Sequence, residues 1–214
     1  MLRSIFILTL VIKSSLIASN PIDKIPFKDS ENLYNFYIEI PSGTKEKWEV
    51  NKKTGFLEKD QKNGQDRIID FLAYPGNYGF VPQTLSGDGD PFDLIDLEAS
   101  SPRGQIKKIK VIGAIYFKDK KSIDYKFIGI SPTGTFQYIE SIEDLLYEKS
   151  SVLEILKLWF LSYKKPGKMV FYRFLNKEEA LLLLQEGHEK WIRDQNWYKV
   201  HTNFFENPLN KKFL

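Results

Sequence analysis

Leu85-Ser86-Gly87-Asp88-Gly89-Asp90-Pro91-Phe92-Asp93 places three carboxylates within six residues of a segment broken by two glycines and a proline. Glycine and proline at this density mark a turn rather than the interior of a helix or strand. Carboxylates so close repel one another, and a folded chain keeps them together at a cost unless a hard cation neutralises them. Mg²⁺, which takes oxygen ligands and retains waters, is the natural candidate. A solvated acidic turn is the alternative that these nine residues alone leave open. An EF-hand is a poor fit, because Pro91 interrupts the loop and Ala99 stands where the bidentate glutamate should be.

Outward from this turn the chain reads as short β-forming runs. Tyr34–Ile40, Lys47–Val50, Ile68–Leu72, Lys108–Phe117, Tyr125–Ile130 and Met169–Phe174 are rich in aromatic and branched residues. Turn clusters such as Pro41-Ser42-Gly43, Asn63-Gly64, Pro75-Gly76-Asn77 and Ser131-Pro132-Thr133-Gly134 separate them. Strands this numerous and closely spaced favour a small closed barrel over a parallel sheet. Helices come late. Ser151 with Glu154 makes a capping box ahead of apolar residues at helical spacing, up to Pro166-Gly167. Asn176 then caps a second helix, expected to reach about Ile192.

The 214 residues fit one domain, with a net charge of +3 spread over many charges of both signs. That balance gives no footprint of a dedicated nucleic-acid binder, so an anion site has to be local. Cysteine is absent, which removes disulfides and thiolate metal sites, and His188 and His201 lie too far apart to suggest zinc. Arg3 precedes the apolar run Ile5–Ile12, with Ala18 and Ser19 following. This predicts an export signal over residues 1–19 ahead of a single domain over 20–214, and hence a periplasmic or secreted protein. An organellar transit peptide, or retention in the cytoplasm, is the alternative. The run is too short for the ~20 apolar residues of a membrane span.

Asp88-Gly89-Asp90-Pro91-Phe92-Asp93 resembles the D-G-D-P-x-D signature of the family I soluble inorganic pyrophosphatases. Glu39-Ile40-Pro41, Lys47-Trp48-Glu49, Asp66-Arg67, Tyr74–Gly79, Asp119, Asp124, Lys126, and Tyr163-Lys164 with Gly167-Lys168 resemble family segments in the same order, from Leu33 to Phe174. The resemblance implies a five-stranded OB-like β-barrel with flanking helices and Mg²⁺-dependent hydrolysis of pyrophosphate to two phosphates. Position by position, it implies that Asp88, Asp93 and Asp124 hold the first metal and that Asp93 is shared with a second. Asp90 then matches the carboxylate that takes the proton of the attacking water. Asp119, with Asp124, matches ligands of a metal arriving with substrate, and Glu39 a carboxylate near a fourth. Lys47, Arg67, Lys126, Tyr163 and Lys164 match groups that grip the phosphoryl ends, while Tyr78 and Glu49 match further site residues. A homo-oligomer is implied as well, commonly a hexamer in bacteria.

The chemistry is coherent on its own terms. Pyrophosphate is a compact polyanion whose charge has to be screened before a nucleophile can approach, and phosphoryl transfer asks the protein mainly for positioning and electrostatics. Carboxylates supply a metal cage. Fixed cations opposite them hold the substrate, Arg67 through a bidentate fork and the lysines as point charges. Two other classes of function remain readable in the residues: the same site acting on nucleotides or polyphosphate, and a barrel that binds anions or nucleic acid without catalysis. The second lacks the alternating basic and aromatic strand positions that such binders use.

Overall fold

The structure is a computed structural model and describes residues 20–119, 122–165 and 167–206, with 197–206 as backbone only. The expected export signal lies outside the described residues. In chain order the elements are α1 (Pro21–Lys24), β1 (Tyr34–Ile40), β2 (Trp48–Val50), β3 (Leu57–Lys59), β4 (Gln61–Lys62), β5 (Gln65–Asp66) and β6 (Asn77–Val81). They continue with β7 (Phe92–Asp96), β8 (Ile106–Asp119), β9 (Ser122–Ile130), α2 (Ile142–Ser162), β10 (Met169–Leu175) and α3 (Lys177–Glu206). The main sheet runs β1-β6-β7-β9-β8-β10, and β1 also pairs with β8. Five strands therefore close into a ring, with β10 added on the outer edge of β8. All of these pairings are antiparallel except β7 with β9.

Period-two alternation explains the two faces of this ring. Phe36 and Ile38 of β1, Leu94 of β7 and Phe127 of β9 pack in one apolar cluster, which Phe27 and the α3 residues Ala180 and Leu184 complete. The intervening positions Ile95 and Ile128 point the other way, into a second cluster that α2 closes through Leu153, Leu156, Trp159 and Phe160. Each such side chain, if fully buried, contributes about 1.5–3 kcal/mol of transfer free energy.

One irregularity matters for the site. The β1–β6 register slips between Ile38 and Ile40. Glu39 is thus the extra residue of a bulge, and Ile40 switches to the α2-side cluster even though Ile38 lies in the other. Bulges re-aim side chains in this way beside functional sites.

The sequence expectations met the structure unevenly. β1 has the expected limits, and the strands expected at 108–117, 125–130 and 169–174 are all present, β8 and β9 in longer form. The strand expected at Ile68–Leu72 is absent: Ile68 makes only an isolated bridge to Glu46, and Ile68 and Leu72 are exposed. α2 begins earlier than expected, at Ile142, nine residues before Ser151. Its working capping box is Ser141 with Asp144, and non-helical backbone at Lys149 breaks it into two pieces. Asn176 does cap α3, its Oδ1 accepting from Glu179 N–H at 2.9 Å, but the helix runs on to Glu206.

Candidate active site

A single cleft of about 1080 Å³ gathers every residue that the family resemblance assigns to a site, from Glu39 to Lys164. The floor is the α2-side face of the sheet where it ceases to be apolar. On β7, Asp93 lies two residues before Ile95; on β9, Asp124 and Lys126 precede Ile128; on β8, Asp119 follows Phe117. In the parallel β7–β9 ladder Asp93 is registered directly against Lys126. Lys126 is 3 % exposed, and its ammonium pairs with Asp93, with Asp124 at 2.7 Å and with the Tyr78 hydroxyl at 3.2 Å. Burial opposes the charge on Lys126, but Asp93 and Asp124 outweigh it and hold its pKa above the ordinary lysine value. Burial pushes the Asp124 carboxyl up, while Lys126 pulls against it.

The loop between β6 and β7 forms a second wall. Ser86 N–H donates to the Asp90 carbonyl at 2.8 Å, closing a tight turn, and Gly89 occupies φ +86 there. Asp88 accepts from the Ser86 hydroxyl and, at 3.1 Å, from Asp90 N–H. These bonds hold its pKa low even though partial burial raises it. Lys52, in the turn after β2, pairs with the Asp90 carboxylate.

Cations come from the opposite rim. Lys47 N–H donates to the Arg67 carbonyl at 2.9 Å, Asp60 N–H to the Lys47 carbonyl at 2.9 Å, and Arg67 N–H to the Asp60 carbonyl at 2.8 Å. Asp60 then stands between the two cations, 2.8 Å from Arg67 and 3.3 Å from Lys47. Burial and the neighbouring Arg67 lower the Lys47 pKa. Glu49 pairs with Lys47 at the edge. Tyr163 and Lys164 follow the last turn of α2, where Tyr163 stacks on Trp159 and Trp159 packs on Tyr74. Lys164 reaches Asp119 at 2.6 Å.

The donor set fits a hard divalent cation. Asp119 Oδ1 is buried and has no hydrogen-bond partner among the described residues, and a buried carboxylate oxygen left so is costly. Glu39, buried, has its pKa pushed up to about 8 by burial first, with Asp93 and Asp90 adding repulsion. Ammonium groups compensate the other carboxylates in part. Among the described residues no three acidic or imidazole side chains already converge at ligand distance, so a cation would have to displace Lys126 and Lys164 from the aspartates they hold.

Glu39 gives a measurable consequence in the metal-free protein. Its folded carboxyl keeps a proton up to about pH 8, whereas the unfolded chain releases it near the ordinary 4.5. Between those values the native state binds more protons, so stability falls as pH rises, by about 1.4 kcal/mol per unit at most. Glu39→Gln keeps an acceptor for Val50 N–H, which donates at 2.7 Å, but cannot ionise. Urea midpoints in EDTA should show the variant losing this slope and becoming the more stable protein at high pH. Parallel slopes for the two proteins would show that Glu39 ionises normally.

Asp60 and Lys52 were not legible as site residues. Asp60 sits in the polar run Lys59–Gln65, and only the hairpin β4–β5, closed by the Asp60–Arg67 backbone bond, shows why it belongs there. The stretch after Phe174, which carries no recognisable motif, also reaches the cleft: α3 contributes Leu183, Glu186, Gly187 and Lys190 to its rim.

A model of the inorganic pyrophosphatase family matches residues 36–192 of the chain. The inorganic pyrophosphatase of Nanoarchaeum equitans is 35% identical over 160 residues, covering 72% of this chain and 95% of that protein. The chloroplastic soluble inorganic pyrophosphatase 6 of Arabidopsis thaliana is 29% identical over 197 residues, covering 81% of this chain and 65% of that one. Among solved structures, an N-terminally truncated vacuolar soluble pyrophosphatase of Trypanosoma cruzi in complex with PPi superposes with a TM-score of 0.77. It is 27% identical, over 83% of this chain and 80% of the other. With the family matched across most of its length and the ordered motifs meeting in one cleft, the chain belongs to the inorganic pyrophosphatase family.

Proposed function

We propose that the chain hydrolyses inorganic pyrophosphate to two orthophosphates and that Mg²⁺ is the metal it uses. The observation that carries this reading is the convergence of five aspartates and Glu39, drawn from four strands and one loop, on the same cleft as Lys47, Arg67, Lys126 and Lys164. Asp88, Asp93 and Asp124 would hold a first Mg²⁺, with Asp93 shared by a second, Asp119 serving a metal that comes with substrate, and Glu39 near a fourth. Bound there, Mg²⁺ would screen the substrate's charge and make water a better nucleophile at neutral pH.

The remaining work falls to the chain. Asp90, on the loop and half-exposed, accepts the proton of the attacking water. Arg67 and Lys47, spaced by Asp60, grip one phosphoryl group, and Lys164 with the Tyr163 hydroxyl grips the other. Tyr78, whose hydroxyl meets the Lys126 ammonium, helps to keep that cation aimed into the cleft, and Glu49 steadies Lys47. Homo-oligomeric assembly, as a hexamer, belongs to the same proposal, as does delivery out of the cytoplasm after loss of residues 1–19. Among the described residues no helix is long and apolar enough to cross a membrane.

The test is phosphate release by the purified chain from Asn20 onward, given pyrophosphate, ATP and tripolyphosphate in parallel, with and without Mg²⁺. Rapid release from pyrophosphate alone, abolished by EDTA, is expected. A folded protein that leaves pyrophosphate intact at every Mg²⁺ concentration rejects the reading, and a preference for ATP or tripolyphosphate moves the substrate to a longer phosphate chain.

A further inference from the structure

The loop that carries the aspartates is fastened along one face of α3. Leu85 N–H donates to the Gly187 carbonyl at 3.0 Å, and the Lys190 ammonium donates to the Ser86 carbonyl at 2.5 Å. His188 Nδ1 lies 2.7 Å from the Gln83 carbonyl, which can only accept, so this nitrogen carries the proton. Beyond the loop, the Phe92 ring packs against the helix at Gly187: a Cβ there would stand 2.2 Å from its Cε2. Residues 187, 188 and 190 thus hold both flanks of the segment 83–92.

Glycine is disfavoured inside a helix, and Gly187 is buried well within α3. The approach of the Phe92 ring is what requires it. Gly87 and Gly89 have open space around them, and the loop's internal bonds are the Ser86–Asp90 turn, those of the Asp88 carboxylate and the Thr84–Phe92 bond. On its far side it meets Lys52, whose ammonium lies 3.2 Å from the Gly89 carbonyl. The relative placement of Asp88 and Asp93 therefore depends on what the loop is docked against: α3 holds it at Leu85, Ser86 and Phe92, while Ile22, Asp23 and Phe27 hold Gln83 at its start.

We infer that Gly187 and Lys190 of α3 are positioning residues for the carboxylate loop, setting the Asp88-to-Asp93 geometry that a divalent cation reads without touching ion or substrate. This rests on the assignment of those two aspartates to a metal in the proposed function. Groups that orient metal ligands from behind characteristically change metal affinity about tenfold or more when removed.

The experiment measures Mn²⁺ binding by electron paramagnetic resonance titration, with Mg²⁺ competition, on the wild-type chain, Gly187→Ala, Lys190→Gln and the double variant Gly187→Ala/Phe92→Leu. Gly187→Ala is expected to weaken Mn²⁺ binding about tenfold, Lys190→Gln to weaken it less, and the shortened side chain at position 92 to restore most of the loss. A merely structural role would lower thermal stability without moving the affinity of the folded protein. A folded Gly187→Ala protein with wild-type affinity overturns the inference, as does a loss that Phe92→Leu leaves untouched. Should Gly187→Ala not fold, unchanged affinity in Lys190→Gln, whose side chain is exposed, overturns it equally. Wild-type protein that binds no Mn²⁺ would instead reject the metal assignment itself, and this inference with it.

Discussion

Asp90→Asn is expected to lower kcat by about 10²- to 10⁴-fold, the range that a positioned general base supplies, while leaving Mg²⁺ binding largely intact. What holds the loop at this position is main chain. Asp90 N–H donates to Asp88 at 3.1 Å, and the Asp90 carbonyl accepts from Ser86 N–H. Both contacts survive in an asparagine of the same shape. The side chain itself contacts Lys52, in a pair where each partner is about half exposed, and such pairs contribute little to stability. The substitution therefore removes a proton acceptor and little else. The measurement pairs kcat at saturating Mg²⁺ with a direct titration of the metal. Undiminished turnover would mean that another group takes the proton, and lost metal binding would make Asp90 a ligand rather than a base.

Lys126→Met should cost about 3–5 kcal/mol of stability in the metal-free protein, the usual penalty for removing one partner of a buried charge cluster. Methionine matches the stem of lysine but leaves Asp93 and Asp124 facing each other with no cation between them. Burial already presses Asp124 toward its neutral form. Without Lys126 the Asp124 carboxyl should hold its proton to higher pH, so the deficit should be small in acid and grow as pH rises past the ordinary carboxylate range. Saturating Mg²⁺ should recover part of it, because an ion bound only by the native state stabilises by mass action. Urea denaturation with EDTA and with Mg²⁺, at pH 5 and pH 8 (values chosen to lie roughly either side of neutrality), reads all three effects. Equal midpoints for variant and wild type in EDTA at the higher pH would show that the lysine is not compensating those aspartates.

The fold was legible where runs of aromatic and branched residues coincide with paired, buried strands. Tyr34–Ile40 is such a run, and β1 has those limits although the bulge at Glu39 breaks its alternation. β6 and β7 were hidden inside segments that read as turn chemistry: Pro75-Gly76-Asn77 and the aspartate cluster flank strands whose residues are mostly buried. The opposite error occurred at Ile68–Leu72, in the connection between two site elements, where Ile68 and Leu72 lie exposed while Ile69 is buried in the α2-side cluster. β-propensity reports fit to a paired, half-buried strand, and although Ile69 and Phe71 pack on the α2-side cluster the segment pairs only through the single Ile68–Glu46 bridge among the described residues. The helix capping signal was ambiguous for a similar reason. Ser141 with Asp144 and Ser151 with Glu154 both satisfy the pattern, and the backbone break at Lys149 separates the helical piece expected from Ser151 onward from an earlier piece that was not expected.

The sequence by itself determined the inventory of the site: which aspartates, lysines and tyrosines are present, and which of them share a strand face two residues from an apolar neighbour. Tertiary structure alone decided which cation answers which carboxylate. Lys126 meets Asp93 across 33 residues and Lys164 meets Asp119 across 45, and both pairings follow from strand register and from where α2 ends. The dependence of the aspartate loop on α3 was likewise invisible, since Leu85 and Gly187 are joined by a backbone bond that leaves no mark on side-chain identity. Local patterns encode which face a residue takes, because backbone geometry repeats every two or 3.6 residues. They carry no information about the partner on the far side of the core, which the packing of the whole chain selects.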